Sequence, residues 1–197
     1  MNFSEYKLKN KEIYLSCLKE HKSGNLAVNW GSEQSQYKRF QVLFDILPNI
    51  RNQSILDVGC GIGHFVDFLN MKDFNGDYCG IDLIDEMINE AKNRNPNKNF
   101  QIKNLENIEE SSFDLVLMSG IFTNASENIL YDILLQAYKI SKLAVGFNCL
   151  SSWAQNKDEN EFYPCPIETL KLCNSITKKL ALRHDYLSHD FTIYLYK

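Results

Sequence analysis

No apolar run in these 197 residues is long enough to cross a bilayer, and no signal peptide opens the chain. A cytoplasmic location away from membranes is the expectation. There is also no basic cluster: the formal net charge is −4, which disfavours DNA, RNA or another long polyanion as the main partner. The six cysteines, at 17, 60, 79, 149, 165 and 173, contain no C-x-x-C pair. They read as small hydrophobes and free thiols in a reducing compartment, with no metal site. No internal repeat is present, and the only bias is an excess of Asn, Lys and Ile. The length suits one domain, 1–197, with a substantial core but no room for separate nucleotide and substrate domains. A small-molecule acceptor would have to be held by short added elements, and the expected state is a monomer or weak homodimer.

What is present centres on Asn52-Gln-Ser-Ile-Leu-Asp-Val-Gly-Cys-Gly-Ile-Gly-His-Phe-Val-Asp-Phe-Leu69. A short apolar run, an acid, alternating glycines and then an amphipathic pattern from Phe65 spell strand, tight loop, helix. Gly59, Gly61 and Gly63, with Cys60 between them, allow backbone N–H groups to approach a nucleotide. A dinucleotide fingerprint wants its third glycine where His64 stands, and Asp57 is misplaced beside a pyrophosphate. An NAD(P)-dependent oxidoreductase is therefore a rival and not the first reading.

The rest of the chain supplies partners for that loop. Residues 1–49 read as a helical extension, either a lid or a strap over the sheet. A first amphipathic helix ends near Gly24, and a second runs from an N-cap at Ser32 to a stop at Pro48. On the second helix Tyr37, Phe40, Leu43, Phe44 and Leu47 share one face; Gln36 lies within that arc and Arg39 at its edge. Both are candidates for the polar end of a ligand, and Arg39 suits a carboxylate or phosphate because its planar fork binds such groups bidentately. Replacing Arg39 by Ala is expected to damage ligand binding with little change in folding. A second strand, 77–83, ends on Asp82, with Leu83 next, at the distance from the glycines where an acid accepts ribose hydroxyls. Helix 84–91, strands 100–104, 113–122 and 143–148, a helix over Ile129 to Ala137 and another from Pro166 follow. Strands 179–186 and 191–196 close the chain as an antiparallel hairpin. The loop 149–164, at the carboxyl end of a strand, is where open α/β sheets bind substrate.

The turn Asp57-x-Gly59-x-Gly61-x-Gly63, with Asp82 and the later strands in order, resembles the first motif of class I S-adenosylmethionine-dependent methyltransferases over roughly residues 50–197. The resemblance implies an α/β Rossmann-like sheet of seven mostly parallel strands in the order 3-2-1-4-5-7-6, the last antiparallel, with helices on both faces. It implies S-adenosylmethionine as cofactor and S-adenosylhomocysteine as product. It places Asn104 and the Leu105 backbone at the adenine, and Met118 and Ser119 at the methionine part. The Asp/Asn-Pro-Pro-aromatic motif of enzymes that methylate DNA base amino groups is missing, because the strand within 113–122, ending at Met118-Ser119-Gly120, runs into Ser-Gly-Ile-Phe. No acid ends that strand either, so the metal-dependent catechol type is not expected. The segments Trp30-Gly-Ser-Glu-Gln-Ser-Gln, Phe147-Asn-Cys-Leu-Ser-Ser-Trp153, Phe162-Tyr-Pro-Cys-Pro and Leu182-Arg-His-Asp-Tyr186 are similar to small bacterial methyltransferases of capsule and surface-polysaccharide biosynthesis. That narrower resemblance implies a phosphorylated or sugar-linked acceptor, including phosphoramidate. Trp30, Tyr37, Asn148 and Trp153 are the candidate acceptor contacts; in the 149–164 loop Trp153 and Tyr163 read either as such contacts or as plugs on the sheet edge.

Methyl transfer from a sulfonium requires the acceptor atom behind the methyl carbon with water excluded. A neutral hydroxyl needs a base, for which His184, His189, Tyr163 or His64 are candidates. An anionic acceptor needs cations, and Arg39, Lys38 and Arg183 are available. A methyltransferase-like module that binds without turnover remains the second rival, since binding residues do not prove catalysis.

Overall fold

A computed structural model describes residues 2–21, 24–28 and 31–197. A seven-stranded sheet runs in the order β3-β2-β1-β4-β5-β7-β6. Its strands are β1 (Ile55–Val58), β2 (Tyr78–Asp82), β3 (Asn99–Ile102), β4 (Phe113–Met118), β5 (Ser141–Leu150), β6 (Leu180–Arg183) and β7 (Asp190–Tyr196). Pairings from β3 to β5 are parallel, and β7 is antiparallel to both its neighbours. The expected order and the antiparallel last strand are both present.

The central strands are apolar on both faces, as parallel strands covered by helices must be. Alternation divides the core in two. Ile55, Leu115, Leu117, Ala144 and Tyr194 face one side, packed with α2 (Glu33–Phe44), α3 (His64–Met71) and α4 (Asp85–Arg94). Leu56, Val58, Val116, Met118, Phe147, Phe191 and Ile193 face the other side, with α5 (Glu127–Ile140) and α6 (Pro166–Cys173). Polar residues that share the α2 parity are thereby aimed at α2, which later matters for Asn148, Asp190 and Thr192.

Several boundaries move from their expected places. Helix α2 begins as expected, with the Ser32 hydroxyl accepting from the Ser35 N–H, but it stops at Phe44, where the Asp45 N–H closes the last turn. Leu47, restricted by the proline after it, cannot prolong the helix. Strand β5 is longer than its apolar run because β7 pairs along it from Ala144 to Leu150. Strand β6 ends at Arg183, where Asp185 folds back and accepts two hydrogen bonds from the guanidinium. The first helix, α1 (Phe3–His21), crosses from the N-terminal segment to the carboxyl ends of the strands, where the Tyr6 hydroxyl donates to the Ile121 carbonyl at 2.7 Å.

Candidate functional site

The loop between β1 and α3 is fastened to β2. The Gly59 and Cys60 N–H groups donate to the Ile81 carbonyl at 2.8 and 3.1 Å, and the Gly61 N–H donates to Asp82 at 3.0 Å. Glycine is required at 59: its φ is +72°, and a Cβ there would meet Ile121 Cγ2 at 2.2 Å. The other Asp82 oxygen accepts the Ile84 N–H at 3.0 Å, so the carboxylate is held rigidly with lone pairs still facing the cavity. Burial raises the Asp82 pKa, against the opposing backbone donors.

That cavity, about 310 Å³, is mainly apolar; its floor is Gly59, Gly61, Asp82, Leu83, Asn104, Leu105 and Ser119. Its roof is α1, on which Tyr6, Asn10 and Tyr14 recur every fourth residue along one face. Tyr14 reaches the Gly120 carbonyl at 3.4 Å, and Asn10 accepts from Asn124 at 3.1 Å. Burial pushes both tyrosine hydroxyls up, so they stay protonated donors.

A second cavity, about 380 Å³, lies beside it and shares Tyr14, Val28 and Gly120 as a common border. It is lined by Ser35 and Arg39 of α2, Thr123, Asn148, Glu161, Tyr163, His189 and Asp190. A chain of hydrogen bonds runs along its wall. Ser119 donates to Asn148 (2.8 Å), Asn148 donates to Thr192 (2.7 Å), and the Thr192 and Tyr186 hydroxyls meet at 2.8 Å. Tyr186 then donates to Asp190, whose other oxygen takes Arg39 Nε at 2.6 Å, and Arg39 Nη1 reaches Ser35 at 3.1 Å. Burial raises the Asp190 pKa to about 6 although Arg39 pulls it down. Burial, then Arg39, lowers that of His189. Tyr163 donates to Glu161 at 2.6 Å; burial first, and that bond second, raise its pKa.

The residues singled out from the sequence divide accordingly. Gly59, Gly61, Asp82, Leu83, Asn104, Leu105 and Ser119 meet at the first cavity. Arg39, Asn148, Tyr163 and His189 meet at the second. Asp57 is sealed below the loop, where it accepts from Tyr78 at 2.7 Å and burial raises its pKa to about 7. Cys60 and Met118 are core residues, and Gly63 is the left-handed N-cap of α3. Gln36, expected at the polar end of a ligand, meets a side chain: its amide lies 3.2 Å from His64 Nδ1. Burial lowers the His64 pKa to about 4.

Four expectations are corrected. Tyr37 packs its ring on Phe68 and Phe40, away from both cavities. His184 is held by Ser151 at 2.8 Å and stacks between Trp153 and Phe191, which removes both it and Trp153, 53% exposed, from the cavity walls. Arg39 carries a buried ion pair, so its loss must affect folding as well as binding. Trp30 lies outside the described residues. The sequence reading missed Tyr6, Asn10 and Tyr14, whose four-residue spacing was a visible signal. It also missed Glu161 and Asp190, for which no local pattern exists. No cluster of potential metal ligands occurs among the described residues.

Comparison with known proteins assigns the chemistry. A protein-family model described as a methyltransferase domain matches residues 50–184. A Mycobacterium tuberculosis protein named as a candidate methyltransferase is 32% identical over 158 residues, which cover 73% of this chain and 93% of that one. Among solved structures, Haemonchus contortus phosphoethanolamine N-methyltransferase 1, in complex with phosphoethanolamine and S-adenosylhomocysteine, superposes with a TM-score of 0.74 at 15% identity. The match covers 98% of this chain, which spans only 50% of that enzyme. Magnesium protoporphyrin IX methyltransferase from Synechocystis, with bound S-adenosylmethionine, gives 0.72 at 11% identity over 98% of this chain and 97% of that one. At such identities these two likenesses speak for the fold alone.

Proposed function

The chain belongs to the methyltransferase domain family, and we propose that it transfers a methyl group from S-adenosylmethionine to an oxygen of a small phosphorylated or sugar-linked metabolite. The observation that carries this reading is the pair of cavities under α1 that share Tyr14, Val28 and Gly120. One is mainly apolar and ends at a fixed carboxylate, as a nucleoside requires; the other is richer in polar side chains, as a hydroxylated acceptor requires. Bound S-adenosylhomocysteine in the Haemonchus enzyme and bound S-adenosylmethionine in the Synechocystis enzyme support the choice of cofactor.

In this reading Asp82 accepts the ribose hydroxyls, and Asn104 and the Leu105 backbone bind the adenine. Ser119 lies towards the methionine part. The acceptor oxygen attacks the methyl carbon, the C–S bond breaks with its electron pair retained on sulfur, and the hydroxyl proton passes to a base. Of the candidates, His189 suits that role: it lines the acceptor cavity, and its lowered pKa leaves a neutral imidazole at pH 7. Tyr163, with its raised pKa, stays protonated and holds Glu161 in place there. Residues 1–49 serve as the lid and acceptor-binding extension.

Incubation with methyl-tritiated S-adenosylmethionine and a fractionated bacterial metabolite extract tests the reading. Label is expected in a small polar product. Absence of label from every fraction, with cofactor bound, would favour a binding module without turnover.

A further inference from the structure

The charge inventory of the second cavity narrows the acceptor. Among the described residues it is lined by one guanidinium, Arg39, and two carboxylates, Glu161 and Asp190. The charge of the guanidinium is already matched: Nε lies 2.6 Å from Asp190, and the two side chains are 8% and 2% exposed. Tyr186 and Arg39 hold opposite oxygens of Asp190, which fixes that pair as part of the wall. Glu161 remains as an excess negative charge, turned to the cavity with Tyr163 as its donor at 2.6 Å. The cavity therefore offers no surplus cation to a phosphate.

A phosphate monoester brings up to two negative charges and mainly acceptor oxygens, and here it would face Glu161 in a partly desolvated site. Like charges brought close together in a partly desolvated site repel far more strongly than they do in water. A neutral hydroxyl group has the complementary capacity: it donates to a carboxylate and accepts from the Ser35 hydroxyl. Phe122, Val28 and Leu150 provide apolar wall against which the C–H face of a ring can lie. The size of the cavity falls within the range for small ligands.

We infer that the acceptor moiety seated in the second cavity is an uncharged, polyhydroxylated ring, a neutral sugar unit, and that Glu161 is the residue that discriminates against phosphorylated acceptors. This rests on the methyl-transfer reading above. It replaces the paired alternatives, phosphorylated or sugar-linked, with the second.

The test is amide NMR on the protein loaded with S-adenosylhomocysteine. It is titrated with four neutral methyl pyranosides (gluco, galacto, manno and N-acetylglucosamine) and with the matching sugar 6-phosphates. At least one neutral glycoside is expected to shift Ser35, Thr123 and Glu161, with a dissociation constant at least tenfold below that of its 6-phosphate. Glu161→Gln is expected to reduce that preference to less than threefold while the fold, read from the remaining amides, is unchanged. A 6-phosphate that binds these amides more tightly than its parent overturns the inference, and so does silence from all four glycosides. An unchanged preference in Glu161→Gln overturns the assignment to that residue. The cofactor arm is separate. Shifts at Asp82 and Leu105 on loading report the first cavity; without them the methyl-transfer reading falls and takes this inference with it.

Discussion

The two cavities are built by different means. Most of the floor of the first is backbone and side chains that follow one another closely, from the glycine loop across β2 to Asn104, beneath a roof supplied by α1. Its conformation is fixed by local bonds such as Gly59 to Ile81 and Gly61 to Asp82. The second is made of side chains brought together from residues 14 to 190, joined by a buried polar chain from Ser119 to Arg39. The floor of the first can thus hold a common cofactor with few side-chain requirements, whereas the second depends on long-range packing and, in the proposed reading, carries the selectivity.

The sharpest break in that comparison should come from the polar chain. Arg39→Ala strands Asp190 in a site where both partners are nearly solvent-free, and breaking a buried pair costs about 3–5 kcal/mol. Urea unfolding should show that loss, and Arg39→Ala with Asp190→Asn together should recover part of it. Next, His189→Gln is expected to lower kcat about 100-fold with KM little changed. In the wild type, kcat/KM should climb with pH through a pKa below 6.5 and then stay flat, since burial lowers the histidine pKa and only the neutral form accepts a proton.

Asp82→Ala should weaken S-adenosylhomocysteine binding by about 1.5–3 kcal/mol, the worth of hydrogen bonds to a charged group, with no effect on acceptor selectivity. Asp57→Asn sharpens the contrast through pH. The folded-state pKa of Asp57, about 7, lies above its unfolded value, so the folded protein binds more protons between about pH 4 and 7. Wild-type stability is therefore lost as pH rises through that window. The variant should gain on the wild type by about 1–3 kcal/mol at pH 8 and by little at pH 4 in paired thermal denaturation curves. Smallest, Tyr14→Phe removes only a 3.4 Å contact to Gly120 and should cost less than about 1 kcal/mol in stability. Its turnover should fall more than its stability, because Tyr14 borders both cavities.

These differences also explain what could be read in advance. The order of the sheet, the loop and Asp82 were legible because strand, glycine turn and acid lie within a short stretch whose spacing follows backbone geometry. Asn148 was legible as a candidate through the segment that carries the family resemblance, and His189 through its place beside the hairpin turn. Glu161 and Asp190 were not, since an acid in a loop and an acid before an apolar strand look like solvated charges until α2 and the 149–164 segment fold over them. Arg39 was found, but as a ligand hook; its buried partner lies 151 positions away, beyond the reach of any periodicity. Trp153 and His184 misled because a loop aromatic and a histidine at a hairpin turn look in sequence like a ligand contact and a base, whereas in the fold they stack on each other.

The most direct measurement is calorimetric titration of the wild-type chain with S-adenosylhomocysteine, run beside a reduced nicotinamide dinucleotide. Stoichiometric binding of the first alone, weakened in Asp82→Ala, is the predicted result. Heat from the nicotinamide compound, or none from S-adenosylhomocysteine, would contradict the assignment of the first cavity and everything built upon it.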